Sequence, residues 1–228
     1  MMAEEISLPA DGEATTGDLV LPESARSVVL FAHGSGSSRH SPRNRAVAEV
    51  FQAAGLATVL MDLLTPQEER VDEVTAEHRF DIGLLGHRLA TALEWLRIHP
   101  PTAELPVGLF GASTGAAAAL VAAAERPDRV HCVVSRGGRP DLAGDALPRV
   151  RAPVLLIVGG EDTGVLRLNR AAAARLAAPH RVQVVPGATH LFEEPGTLAQ
   201  AADAAREWFL HPGTGRERTD QEQDQGQD

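Results

Sequence analysis

Cysteine is almost missing from this chain. Cys132 stands alone in 228 residues, so no intrachain disulfide can form, and it lacks the Cys or His neighbours of a structural zinc site. A reducing, cytoplasmic setting is expected, with no metal. Positive charge is scarce too. The 21 Lys and Arg face 31 Asp and Glu, leaving a formal net charge of -10 that repels phosphate backbones and anionic lipid. Neither nucleic acid nor a membrane is expected as a partner. No apolar run approaches the roughly 18 residues of a membrane span, and the acidic start Met1 to Glu5 lacks the basic and apolar regions of an export signal. Tyrosine does not occur at all, a trait of composition to which no function is attached. What is present is 43% hydrophobic residues, enough for one well-filled domain. No shift of composition divides residues 1–210, which are read as that domain, while 211–228 carry no aliphatic residue and are read as a disordered acidic tail.

The order of elements follows from short aliphatic runs alternating with helical stretches. Residues 1–30 hold apolar pieces between turn residues, which predicts one or two edge strands. Val28 to Ala32, Ala57 to Met61, Pro106 to Phe110, Val130 to Val134, Pro153 to Val158 and Arg181 to Val185 are strand-length runs. Unbroken aliphatic strands separated by helices are the mark of a parallel sheet buried on both faces. Ile82, Leu85, Leu89, Leu93 and Leu96 recur at steps of 3, 4, 4 and 3, giving an amphipathic helix over about 80–97. Further helices are expected over 43–54, from 116 to about 125, over 166–177 and over 198–210, with Trp208 and Phe209 as packing anchors. The expected class is therefore α/β, a mostly parallel central sheet with helices on both faces.

One junction carries chemistry. Gly111-Ala112-Ser113-Thr114-Gly115 lies between a predicted strand and a predicted helix, the setting that gives the GxSxG pattern its meaning as a sharp turn presenting a nucleophile. A serine hydroxyl needs a base and a carboxylate to orient that base. Two loops past later strand ends supply candidates: Gly159-Gly160-Glu161-Asp162, and Pro186-Gly187-Ala188-Thr189-His190. Parallel strands put all these loops on one edge of the sheet. His33, His78 and His87 are rival bases, Glu161 and Asp141 rival acids, and Asp128 precedes its strand and so falls on the opposite edge.

With serine elbow, GGEDTGV-type acid loop and PGATHLF-type histidine loop in that order, the sequence resembles the α/β-hydrolase superfamily, specifically its small dienelactone-hydrolase-like branch, over about residues 15–210. The resemblance implies an α/β-hydrolase fold, a triad of Ser113, Asp162 and His190, and no cofactor. It aligns the acid with Asp162, the residue before Thr163-Gly164. It also implies an oxyanion hole built from two backbone amides, that of Thr114 after the nucleophile and that of Ser35 in the His33-Gly34-Ser35 loop. The branch's namesake enzymes use a cysteine nucleophile, where this chain has Ser113. Gly34-Ser35-Gly36 also imitates half of a dinucleotide fingerprint, but Arg39 stands where the third glycine belongs.

The substrate side is read from connections. Only 18 residues, Ser135 to Ala152, lie where larger relatives insert a helical cap, so no large cap is expected. The other long connection, Leu63 to Arg79, is polar and acidic. An open site suits a small soluble ester as partner. Arg39, Arg136 and Arg139 follow strand ends on the same edge and are candidates to hold a substrate carboxylate, or else to pair with Asp141, Asp145 or the acidic loop. The expected activity is hydrolysis of a carboxylic ester or lactone through an acyl-enzyme. Acyl transfer, amide or peptide cleavage by the same machinery, and a fold that binds without turnover, are the alternatives.

Overall fold

The structure is a computed structural model that describes residues 1–213; the stretch read as a tail lies almost wholly outside the described residues. Eight strands form one sheet: β1 (Met2–Ala10), β2 (Glu13–Leu21), β3 (Val28–Ala32), β4 (Ala57–Met61), β5 (Val107–Ala112), β6 (Val130–Arg136), β7 (Val154–Gly159) and β8 (His180–Val185). Their spatial order is β1-β2-β4-β3-β5-β6-β7-β8. The pairs β1/β2 and β2/β4 are antiparallel, and every pair from β4 to β8 is parallel. The strands β3, β4, β5 and β7 are buried at every residue, which is why they read as unbroken aliphatic runs rather than as alternating ones.

Successive residues of a strand point to opposite faces, and the core divides accordingly. On one face Val28, Leu30, Leu109 and Val133 pack with α3 (Ile82–Ile98), α4 (Thr114–Glu125) and α5 (Thr163–Ala173). On the other, Val29, Phe31, Phe110 and Val134 pack with α1 (Pro42–Ala53) and α6 (Thr197–Leu210). This is an α/β-hydrolase fold with helices on both faces. Between β6 and β7 there are only short 3₁₀ turns, Pro140–Arg149, kinked at Gly144, and no cap domain. None of the described helices is long and apolar enough to cross a membrane.

One element departs from the expectation. The acidic connection between β4 and α3 contains a helix, α2 (Pro66–Thr75). Its polarity hid it, because only Asp72 is buried along its length. Local signals form it instead: Thr65 accepts from the Glu68 amide, the Glu68 carboxylate accepts from the Thr65 amide, and Pro66 opens the first turn.

Candidate active site

The junction of β5 and α4 holds Ser113 at φ 51 and ψ -123, a conformation that costs a non-glycine residue roughly 1–3 kcal/mol and persists only when its surroundings fix it. They do so through three backbone bonds. The Ser113 amide donates to the Arg136 carbonyl at 3.3 Å, while the Ser113 carbonyl accepts from Ala116 at 3.1 Å and Arg139 at 3.0 Å. Gly34 presses against the turn from the side, where a methyl group would come within 3.0 Å of Ser113 Cβ. The loop after β3 is thus in direct apposition to the hydroxyl-bearing residue.

Past β7, Asp162 caps α5, its Oδ1 accepting from the Val165 amide at 3.4 Å. That bond aims the other oxygen at the loop after β8, where Oδ2 accepts from His190 Nδ1 at 2.7 Å. A carboxylate only accepts, so the proton sits on Nδ1 and Nε2 is left with its lone pair. Asp162 is mostly covered, whereas the His190 side chain is 38% exposed and reachable from solvent. The histidine loop has its own brace: Glu194 accepts from the Thr189 amide at 3.0 Å and the Thr189 hydroxyl at 2.6 Å. These bonds hold the Glu194 carboxyl below its ordinary value.

Ser113 and His190 stand on the same edge, but among the described residues no hydrogen bond joins Ser113 Oγ to the imidazole. They share a neighbour. A methyl on Gly137 would lie 3.8 Å from His190 Cε1, and Gly137 follows Arg136, whose carbonyl holds the Ser113 amide. Catalytic hydrogen bonds commonly tighten only with substrate in place.

The rival residues lie outside this Asp162–His190 pairing. His33 is half-buried, its Nδ1 on the Gly34 carbonyl at 2.9 Å and its Nε2 accepting from the Leu63 amide at 3.2 Å. Burial pushes its pKa down, so the ring is a neutral brace for the loop after β3. His78 lies beside Glu77 and His87 beside Asp11. Asp141 takes two bonds from Arg139, at 2.9 and 2.8 Å, and Glu161 is exposed, with His190 Nδ1 bonded to its neighbour Asp162 instead.

At the expected oxyanion position the two amides differ in their partners. The Thr114 amide opens α4, where the first N–H groups of a helix have no partner within it. The Ser35 amide, however, does not point free into the site: it donates to Thr114 Oγ1 at 2.8 Å. A cleft of about 520 Å³ opens on the Ser35 side, lined by Gly34, Ser35, Leu63 and Leu64 and by Arg79, whose guanidinium is held by Asp72. Nothing in the sequence marked Thr114 Oγ1 or Glu194, since each acquires its role from a partner brought in by folding.

The arginines expected to hold a carboxylate are also engaged. Arg39 pairs with Asp62 and lies near Asp18 and Glu5, and Arg139 is taken by Asp141. Arg136 is 7% exposed. Its Nη2 donates to Asn44 Oδ1 at 3.2 Å, and its Cζ lies over the Phe110 ring. Burial, then the nearby charge of Arg43, pull its pKa down to about 10. None of the three presents an unengaged, accessible guanidinium face to the cleft, because folding gives two of them carboxylate partners and buries the third.

Residues 17–211 match the model of the dienelactone hydrolase family. A crystal structure of dienelactone hydrolase from Anabaena variabilis superposes with a TM-score of 0.90 at 57% identity, covering 92% of this chain and 97% of that one. Est1E from Butyrivibrio proteoclasticus shares the fold at a TM-score of 0.75 and 15% identity, over 90% of this chain and 97% of its own. Two Mycobacterium tuberculosis proteins, provisionally named phosphoribosyl transferases, are 58% identical over 207 residues, which is 91% of this chain and 46% of theirs. The chain therefore spans less than half the length of those relatives. By fold, by the match over residues 17–211 and by identity, the chain belongs to the dienelactone hydrolase family.

Proposed function

We propose that the protein is a serine hydrolase that cleaves carboxylic esters or lactones of small soluble acyl groups through an acyl-enzyme. The observation that carries this reading is the bond from His190 Nδ1 to Asp162 on the edge where Ser113 is presented at a strained turn. It leaves Nε2 as the only basic position of that ring, and Asp162 stabilises the imidazolium that forms when the ring takes a proton. In the proposed cycle Ser113 Oγ bonds to the acyl carbon, its proton passes to His190 Nε2, and that proton goes on to the departing alkoxide. Water then repeats the sequence against the acyl group and frees Ser113.

A neutral acyl group fits best, because Arg39 and Arg139 already have carboxylate partners and Arg136 is buried. Transfer to another acceptor, or amide cleavage, would use the same groups. Phosphoribosyl transfer, the activity in the names of the longer mycobacterial relatives, draws no support from this constellation. The test is reaction with a fluorophosphonate probe and a short activated acyl ester, in wild type and Ser113→Ala. Labelling of Ser113 and turnover that falls at least 1000-fold in the variant are expected, on the scale seen when a triad member is removed. Equal turnover in both proteins would refute the reading.

A further inference from the structure

We infer that the Thr114 side-chain hydroxyl, backed by the Ser35 amide, is the second donor of the oxyanion hole. The inference rests on the serine-hydrolase reading above and adds a catalytic group to it. The Ser35 N–H is spent on Thr114 Oγ1 at 2.8 Å, so it does not donate directly to an oxyanion in this arrangement. The oxygen that receives it belongs to a hydroxyl, which accepts through a lone pair and keeps a hydrogen to give. Among the described residues no acceptor takes that hydrogen. Thr114 is 6% exposed, and a buried hydroxyl proton without a partner is costly unless the bound substrate supplies one.

Position points the same way. Thr114 follows the nucleophile, and its amide and its hydroxyl branch from neighbouring atoms of one residue, so both can address one oxygen. The loop that supplies the Ser35 amide lies against Ser113 itself, through Gly34. Accepting a hydrogen bond makes a hydroxyl a stronger donor, since the dipoles of a chain polarise one another. The loop after β3 thus acts on the reaction through Thr114 rather than by direct contact.

In the step concerned, the Ser113 Oγ lone pair forms the bond to the acyl carbon and the carbonyl π pair moves onto oxygen. The Ser113 proton goes to His190 Nε2. The Thr114 hydrogen stays on its own oxygen, and only its hydrogen bond strengthens as charge develops.

The experiment compares wild type, Thr114→Val, which keeps the shape and loses the hydroxyl, and Thr114→Ser, which keeps the hydroxyl. Steady-state kinetics on the short acyl ester are paired with affinity for a phenylboronic acid, whose serine adduct places an oxygen in the hole. Thr114→Val should lower kcat by roughly 100-fold with little change in KM, the size expected for one lost donor, and should weaken the boronate by a similar factor. Thr114→Ser should stay within a few-fold of wild type in both. Should Thr114→Val fail to fold, Thr114→Ala and the same boronate titration replace it. A valine variant as active as wild type, or faster because the Ser35 amide is freed, would overturn the inference while leaving the Ser113 chemistry intact. Wild type that neither labels at Ser113 nor turns over the ester would overturn both.

Discussion

At the scale of single residues, the site shows a division between groups that announce themselves and groups that do not. Ser113, Asp162 and His190 stand in glycine-rich turns just past strand ends, so residue type and chain order single them out before any coordinate is known. Thr114 Oγ1 and Glu194 are ordinary polar atoms in the sequence. Their roles come from Ser35, 79 residues away in the chain, and from a five-residue return to Thr189. The Glu194 brace is open to test by pH. Its two bonds from Thr189 hold the carboxyl below the ordinary 4.5, and a depressed folded pKa stabilises the protein above that value and loses the contribution as pH falls through the depressed one. The thermal midpoint of wild type should therefore drop in acid, below about pH 4.5. In Glu194→Gln that part of the slope should disappear. At neutral pH the same variant should lose several-fold in kcat, because the loop that carries His190 is less firmly placed. Identical pH profiles of the midpoint in the two proteins would show that the brace is unimportant.

Elements differ in how openly they are written. Strands buried on both faces leave five or six aliphatic residues in a row, and α3 leaves a stripe at helical spacing, so these were readable to within a few residues. Helix α2 carries no such stripe and is fixed by its cap and by one charged anchor. Glu68 closes the capping box with one oxygen, and with the other accepts from Arg88 Nη2 at 2.7 Å. Arg88 is 1% exposed, on α3. The pair ties a polar surface helix to the core and bears directly on the cleft, since Asp72 and Arg79 lie at the far end of the same segment. Removing Glu68 would leave the buried Arg88 charge with only the exposed Asp11, at 3.7 Å, as its carboxylate partner. Glu68→Ala should cost roughly 2–3 kcal/mol, less than for a fully buried pair because Glu68 keeps some contact with water. Arg88→Met removes the buried charge and should cost less. Urea unfolding of both variants checks the order. If Glu68→Ala were the milder of the two, Arg88 would have to be satisfied by other groups.

For the whole molecule, the sheet divides two cores of unlike character. Beneath α3 and α4 it is filled by Leu, Val and Ala. Beneath α1 and α6 four phenylalanines meet, with Phe51 at 5.8 Å from Phe31, 5.8 Å from Phe110 and 5.3 Å from Phe209. The sequence showed Phe209 as an anchor of the closing helix but not what it anchors to, because the contact joins the last helix to α1 and to mid-sheet. Its ring lies over Gly108 of β5, where a methyl group would meet it at 2.6 Å. β5 is the strand that leads into Ser113, so the last described helix packs beneath the strand that ends at that turn. Phe209→Ala should destabilise by roughly 3–5 kcal/mol, as large-to-small changes in aromatic cores do, and at about 2–4 °C per kcal/mol for a chain of this size lower the midpoint by on the order of 10 °C. Because one sheet runs through both cores, far-UV ellipticity and the proposed turnover of the short acyl ester should be lost together on heating, in a single transition. Well below that transition kcat should stay near wild type, since no group at the reacting end of β5 is touched. Activity lost tens of degrees before the ellipticity would mean instead that the aromatic core and the edge that carries Ser113 unfold as separate units.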